Sequence, residues 1–252
     1  MIVLKALPRL VLLPALGALA LAGCGSSSNS ASIPAASAPS SVTITTTRVP
    51  TTATTASTPA STASSSGGIG GCQPTSSGGA PVVPCPKKLL SASHNYTVKL
   101  DTNYGKIDMS LATSAAPIAA ANFAYLVKRG FYNGLTFNRI VPGFVIQGGA
   151  PIVDGQEAGP GYQLVEAPPS YLQYNPGVVA MAKTAVAPYG DAQSQFFICV
   201  ADTNLPPQYA YVGNVTKGLN VAVHISDLPN SGGALNQPEE PVIIRRATLV
   251  AG

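Results

Sequence analysis

Residues 25–71 cannot form a core. Of these 47 residues, 40 are Ser, Thr, Pro, Ala or Gly, none is aromatic, and Arg48 carries the only charge. Such a segment buries too little apolar surface to offset the entropy lost on ordering it. Whatever folds in this 252-residue chain therefore lies beyond it. A length that by itself allows one large domain or two small ones is thereby reduced to a single domain of roughly 160 residues.

Ahead of the tract, Lys5 and Arg9 precede an apolar run from Leu10 to Leu21, the pattern of an export signal. The run is too short to span a bilayer comfortably, which takes roughly 20 apolar residues. It ends in Leu21-Ala22-Gly23-Cys24, which resembles the lipobox of bacterial lipoproteins. That resemblance implies cleavage before Cys24 and a diacylglyceryl thioether on its sulfur. The mature protein is then extracytoplasmic and lipid-anchored to the cell membrane, since two acyl chains hold a protein stably where one does not. The alternative is an ordinary secretory signal with a chance cysteine. The expected divisions are a lipoprotein signal peptide at 1–23, a lipid-anchored Ser/Thr/Pro/Ala-rich linker at 24–88 and a folded domain at 89–252. A flexible coil from Cys24 to Lys87 has a root-mean-square reach of roughly 45 Å. Its Ser, Thr and Pro content also suits a glycosylated stalk.

The chain carries 14 Lys and Arg against 10 Asp and Glu. From residue 89 onward, however, nine Lys and Arg face ten Asp and Glu, so the excess sits on Lys5, Arg9, Arg48, Lys87 and Lys88. A nucleic-acid binder shows a basic stripe on its folded part, and that class is set aside.

Cys72 and Cys85 flank a Gly/Pro-rich stretch, and outside the cytoplasm they can form a disulfide. Closing that loop would contribute about 3 kcal/mol on the entropic model. A zinc site is the alternative, although two cysteines with no neighbouring His or Cys pair have poor ligand spacing. Cys199 lies in the apolar run Phe196 to Val200 and reads as an inert core thiol. His94 and His224 lack partner spacing for metal binding or nucleophilic catalysis. Gly148-Gly149 lacks the strand–loop–helix context and following Lys of a phosphate loop. No metal and no cofactor is expected.

Tyr96, Val98 and Leu100 alternate with polar residues, as do Ile107, Met109 and Leu111, with Asn103-Tyr104-Gly105 between them. That spacing predicts a hairpin with one buried face. A helix follows, with Ser114 as its N-cap and Pro117 in its first turn. Ala119, Phe123, Leu126 and Val127 form its apolar stripe, interrupted by Asn122. Lys128 and Arg129 suit its C-terminal end, and Gly130 can supply a left-handed cap. Short strand-like runs then continue to Val242-Ile243-Ile244, with one weak helix candidate around Leu219 to Ile225. Many short strands with one or two helices predict a mainly β fold, a closed barrel with helical caps.

The twenty residues Gly130-Phe131-Tyr132-Asn133-Gly134-Leu135-Thr136-Phe137-Asn138-Arg139-Ile140-Val141-Pro142-Gly143-Phe144-Val145-Ile146-Gln147-Gly148-Gly149 closely resemble the signature of the cyclophilins, the peptidyl-prolyl cis-trans isomerases. Met181-Ala182-Lys183 with Ser194-Gln195-Phe196-Phe197-Ile198, and then Leu205-Pro206-Pro207-Gln208-Tyr209 running to Gly213, follow in family order. The resemblance covers about residues 95–250 and implies an eight-stranded antiparallel barrel capped by two helices.

It also implies roles. An X–Pro bond prefers trans by only about 0.5–1 kcal/mol, yet rotation breaks amide resonance at a cost of about 18–20 kcal/mol. Catalysis needs no nucleophile, metal or proton acceptor, only a donor aimed at the prolyl nitrogen and an apolar pocket for the ring. Arg139 matches the catalytic arginine, and its fixed charge and rigid fork suit that task. Gln147 matches the glutamine that orients it. Phe144, Val145, Phe197 and Leu205 match the proline pocket, although singly each reads as plain core. Ala182 and Lys183 match the stretch that meets the peptide through its backbone, and Gln195 matches a glutamine of the neighbouring pocket. Tyr209 stands where a histidine is usual; its phenol can still donate a hydrogen bond and pack its ring.

Other departures are Asn138 in place of His, Ala150 in place of Asp, and Val145 in place of Met. About three extra residues lie between Ala182 and Gln195, and Gln193 occupies a position normally Gly. These affect the pocket for residues preceding proline. The tryptophan of drug-sensitive cyclophilins is absent, with Asn204 nearest, which implies weak cyclosporin binding. The expected partners are proline-containing polypeptides of secreted or envelope proteins, met by a monomer held at the membrane through its lipid. The rival readings are a non-catalytic module of the same fold that holds proline-containing segments as a chaperone or scaffold, and a purely structural stalk protein, which leaves the motif cluster unexplained.

Overall fold

The computed structural model describes residues 68–75 and 83–252. The signal, Cys24 and the tract up to residue 67 lie outside the described residues. Eight strands form a closed antiparallel barrel: β1 (Tyr96–Thr102), β2 (Gly105–Leu111), β3 (Thr136–Val141), β4 (Val145–Gly148), β5 (Val178–Met181), β6 (Phe196–Cys199), β7 (Tyr211–Lys217) and β8 (Val242–Ala251). Around the barrel the order is β6-β4-β3-β8-β1-β2-β7-β5, with β5 pairing back to β6. The mainly β class expected from the alternation is what the backbone forms, and it includes the hairpin β1–β2 across Asn103 to Gly105.

Alternation decides the core. Val98, Leu100, Ile107, Met109, Val179, Met181, Phe196, Ile198, Val242 and Ile244 all point inward and are buried. Helix α1 (Pro117–Lys128) packs against β7 and β8, and α2 (Leu219–Ser226) packs against β2, β3 and β4. Phe123 of α1 meets Tyr132 and Phe196 at ring-centre distances of 5.0 and 5.1 Å. The Tyr132 hydroxyl donates to the Ser194 carbonyl at 2.9 Å, so this aromatic cluster leaves no polar end unsatisfied.

Helix α1 corrects one expectation. Ser114 does not cap it; the N-cap is Ala116, whose side chain offers nothing. The capping group comes from far along the chain. The Glu166 carboxylate accepts the N–H groups of Ile118 at 3.1 Å and Ala119 at 2.7 Å. Those are orphan donors of the first turn, where negative charge is favoured. At the other end Gly130 adopts φ 69°, the left-handed cap the sequence predicts.

Asn122 is fully buried. Its amide donates to the carbonyls of Ala192 at 2.8 Å and Gln193 at 2.7 Å, and its oxygen accepts from the Tyr162 hydroxyl. What looks like a break in an apolar stripe is the clamp between α1 and the loop that precedes β6.

Packing also begins earlier than a linker through residue 88 implies. Gln73–Pro74 pairs with Tyr162–Gln163, and Cys72 is buried against the barrel core together with Ile69, Val83 and Cys85. Cys72 and Cys85 are joined by a disulfide, which leaves the zinc alternative without ligands. Among the described residues no helix is long and apolar enough to cross a membrane.

Candidate active site

The strands that fill the barrel present a second apolar surface on their outer side. In β6, Phe196 and Ile198 join the interior, whereas Phe197 and Cys199 join a separate cluster with Val145 of β4 and Val178 and Ala180 of β5. Phe144, Leu205 and Tyr209 pack against this cluster. It follows directly from period-2 geometry, because successive side chains on a strand take opposite faces.

Arg139 reaches that surface through a bulge. The register between β3 and β4 shifts between Phe137 and Arg139. Phe137 and Ile140 are both buried in the interior, three residues apart, where unbroken alternation would place Phe137 and Arg139 inside together. The extra residue reverses the phase. It turns Arg139 outward as the cross-strand partner of Gln147. The close approach explains Gly148: a Cβ there would lie 2.3 Å from the Thr136 carbonyl oxygen and 2.6 Å from the Phe137 Cα.

A cavity of about 100 Å³ opens at this point, lined by Arg139, Phe144, Val145, Gln147, Ala182, Lys183, Phe197, Leu205 and Tyr209. Nine sequence-predicted residues thus converge on one hollow. The Arg139 guanidinium carbon lies 6.0 Å from the centre of the Phe144 ring. Phe197 and Tyr209 meet edge-to-face at 5.3 Å and 90°. The Lys183 ammonium donates to the carbonyls of Thr184 at 3.2 Å and Ala187 at 3.3 Å and lies 5.9 Å from the centre of the Tyr209 ring.

The tenth predicted residue, Gln195, lies in an adjoining cavity of about 170 Å³ that shares Ala182 and Lys183 with the first. Gln193 lies there too, its amide donating to Asp191 at 3.1 Å and its oxygen 2.3 Å from where a Cβ on Gly159 would sit. Burial raises the Asp191 carboxyl above the ordinary range, against bonds from Gln193 and Gln163 that favour its charge. The bulge residue Asn138 donates to Glu157. Asn204, near the site of the missing tryptophan, has φ 51°.

Sequence reasoning missed Tyr174. Its hydroxyl donates to the Tyr209 carbonyl at 2.7 Å and accepts the Tyr209 N–H at 3.0 Å. Burial pushes that phenol up to about 12, so it stays a neutral donor. Thr203 in turn donates to the Tyr174 carbonyl at 3.0 Å. No periodicity marks Tyr174, because it lies in an irregular loop before β5. Cys199 lies behind the pocket wall, a fully buried free thiol that burial pushes up to about 12, which suits an inert packing role.

The family model for cyclophilin type peptidyl-prolyl cis-trans isomerase/CLD matches residues 97–249. A peptidyl-prolyl cis-trans isomerase of Acinetobacter baylyi is 37% identical over 167 residues, covering 62% of this chain and 88% of that one. Peptidyl-prolyl cis-trans isomerase A of Dickeya dadantii is 34% identical over 169 residues, covering 64% and 88%. A crystal structure of a Cryptosporidium parvum cyclophilin type peptidyl-prolyl cis-trans isomerase, solved in the presence of the dipeptide Ala-Pro, superposes with TM-score 0.54 at 28% identity, over 62% of this chain and 99% of that chain. Barrel, pocket and sequence agree: this chain belongs to the cyclophilin-type peptidyl-prolyl cis-trans isomerases.

Proposed function

We propose that Arg139 is the catalytic group of this isomerase and that its substrates are X–Pro segments of exported proteins, met outside the cytoplasm. One observation carries the first half: the bulged strand sets Arg139 beside Gln147 on the rim of a small apolar hollow floored by Phe197. The ring of proline fills the hollow, with Val145, Phe144 and Leu205 as its walls. The amide to be rotated then lies at the rim, within reach of the guanidinium.

As the amide twists, its nitrogen loses conjugation and becomes a hydrogen-bond acceptor. A fixed positive donor beside an apolar wall favours that state over the planar one. Gln147, next to Arg139 across the ladder, orients it and offers its amide to the substrate backbone. No proton changes hands and no covalent intermediate forms. The structure solved with Ala-Pro, for a 28% identical relative, supports a proline-containing ligand. The Cys72–Cys85 disulfide supports the oxidising location, since such bonds persist outside the cytoplasm.

A protease-coupled assay on an Ala-Pro peptide tests the mechanism. Arg139→Ala lowers kcat/KM by about 10²–10³-fold, the usual cost of removing one transition-state donor, with little change in thermal stability. An unchanged kcat/KM overturns the assignment.

A further inference from the structure

A second hollow shares no lining residue with the proline pocket. It is about 690 Å³ and lies between the 84–91 arm and α1. Four cations line it, Lys87, Lys88, Lys128 and Arg129, and no Asp or Glu does. All four are exposed, and Leu89 beside them is 51% exposed. This concentration occurs on a domain whose residues from 89 onward carry one more acid than base.

The fold assembles the cluster deliberately from two places in the chain. The Cys72–Cys85 disulfide and the bond from the Tyr125 hydroxyl to the Pro84 carbonyl, 2.7 Å, hold the arm against α1. That brings Lys87 and Lys88 beside the last turn of the helix, where Arg129 stacks 4.9 Å from the centre of the Tyr125 ring.

We propose that this groove is the face the domain lays against an anionic lipid surface. Cations on long apolar stems, beside an exposed leucine, are what such a surface recognises: ammonium and guanidinium groups meet phosphates while the apolar side chain enters the boundary. The direction of the chain favours a membrane over an acidic polypeptide. The segment leading from Cys24 enters the described domain at Gly68, where a Cβ would lie 3.0 Å from that of Cys85, and Cys85 itself lines the groove. A lipid on Cys24 keeps the whole domain within tether reach of its membrane and so raises the local concentration of lipid phosphate around these cations. The proposal builds on the lipid-anchor reading.

The test uses the lipidated full chain on phosphatidylcholine vesicles and on vesicles with about 30 mol% phosphatidylglycerol, an anionic lipid. Amine acylation at Lys87, Lys88 and Lys128 is followed by peptide mass spectrometry, with Lys99, Lys106 and Lys217 as references, alongside vesicle flotation. The expected result is flotation with both vesicles, and labelling of the three groove lysines slowed about fivefold on the anionic vesicles alone, reversed by high salt. Flotation with equal labelling on both overturns the groove proposal and leaves the anchor standing. Failure to float, with an unacylated Cys24 peptide, overturns the anchor and the proposal with it. Protection by soluble poly-glutamate with none on the anionic vesicles overturns it in favour of an acidic polypeptide.

Discussion

Strands β4 and β6 each serve two surfaces that differ in what they cost to change. On the inner side Ile146, Phe196 and Ile198 are fully buried among the side chains of every other strand. On the outer side Val145 and Phe197 belong to a small cluster whose far boundary is an open hollow. The inner face has every contact satisfied within the fold, whereas the outer face leaves its last contact to a ligand. Adjacent residues on one strand therefore divide stability from activity.

The largest expected effect is on the inner side. Phe196→Ala removes the ring that packs on Phe123, Tyr132 and Phe137, costing about 3–5 kcal/mol and lowering Tm by roughly 10 °C or more. The molecules that stay folded keep kcat/KM within a few-fold; a large activity loss at preserved Tm would break the division. Phe197→Ala, one residue on, shows the opposite balance: kcat/KM falls about 10–100-fold, or about 1.4–2.8 kcal/mol of transition-state binding, with a smaller loss in urea midpoint than Phe196→Ala.

Tyr174→Phe sharpens the comparison from behind the pocket. It leaves the Tyr209 N–H and carbonyl without their shared partner, at about 1–2 kcal/mol. KM for an Ala-Pro peptide rises a few-fold while kcat holds, as expected of a positioning residue; equal falls in kcat and kcat/KM would place Tyr174 in the transition state instead.

The smallest effect is a pH slope. Burial raises the Asp191 carboxyl in the folded state, so the folded protein holds that proton more tightly than the unfolded chain does. The stability this group contributes is complete below the ordinary carboxylate range and is lost as pH rises through the folded value. The urea midpoint should fall across that window, and Asp191→Asn should remove that part of the slope. A slope unchanged in the variant assigns it to another group, with Glu166, also raised by burial, the next candidate.

Local patterns were legible where one short stretch determines the outcome. The β1–β2 hairpin, the apolar stripe of α1 and the Gly130 cap all depend on residues within a few positions of one another. The motif from Gly130 to Gly149 also placed Arg139, Phe144 and Gln147 within one contiguous block. The misreadings have a common cause. Ser114 was a reasonable cap by position, but Glu166 does that work from 48 residues away. Asn122 looked like an interruption because its three partners lie 40 to 71 residues downstream. The arm from Gly68 carries no local signal because its few apolar residues are covered only by elements later in the chain, α1 among them.

By itself, then, the sequence determined the residue types, their alternation and the family motif: a guanidinium, an aromatic floor and a glutamine, spaced for strands. A two-residue period shows which side chains share a face without showing which face will be the interior. Barrel closure settles that, and the bulge between Phe137 and Arg139 reverses the phase at one strand, so that the positive charge meets the hollow rather than the core. Only the tertiary structure could decide it, because a charge on the wrong side of a two-layered strand would be buried without a partner.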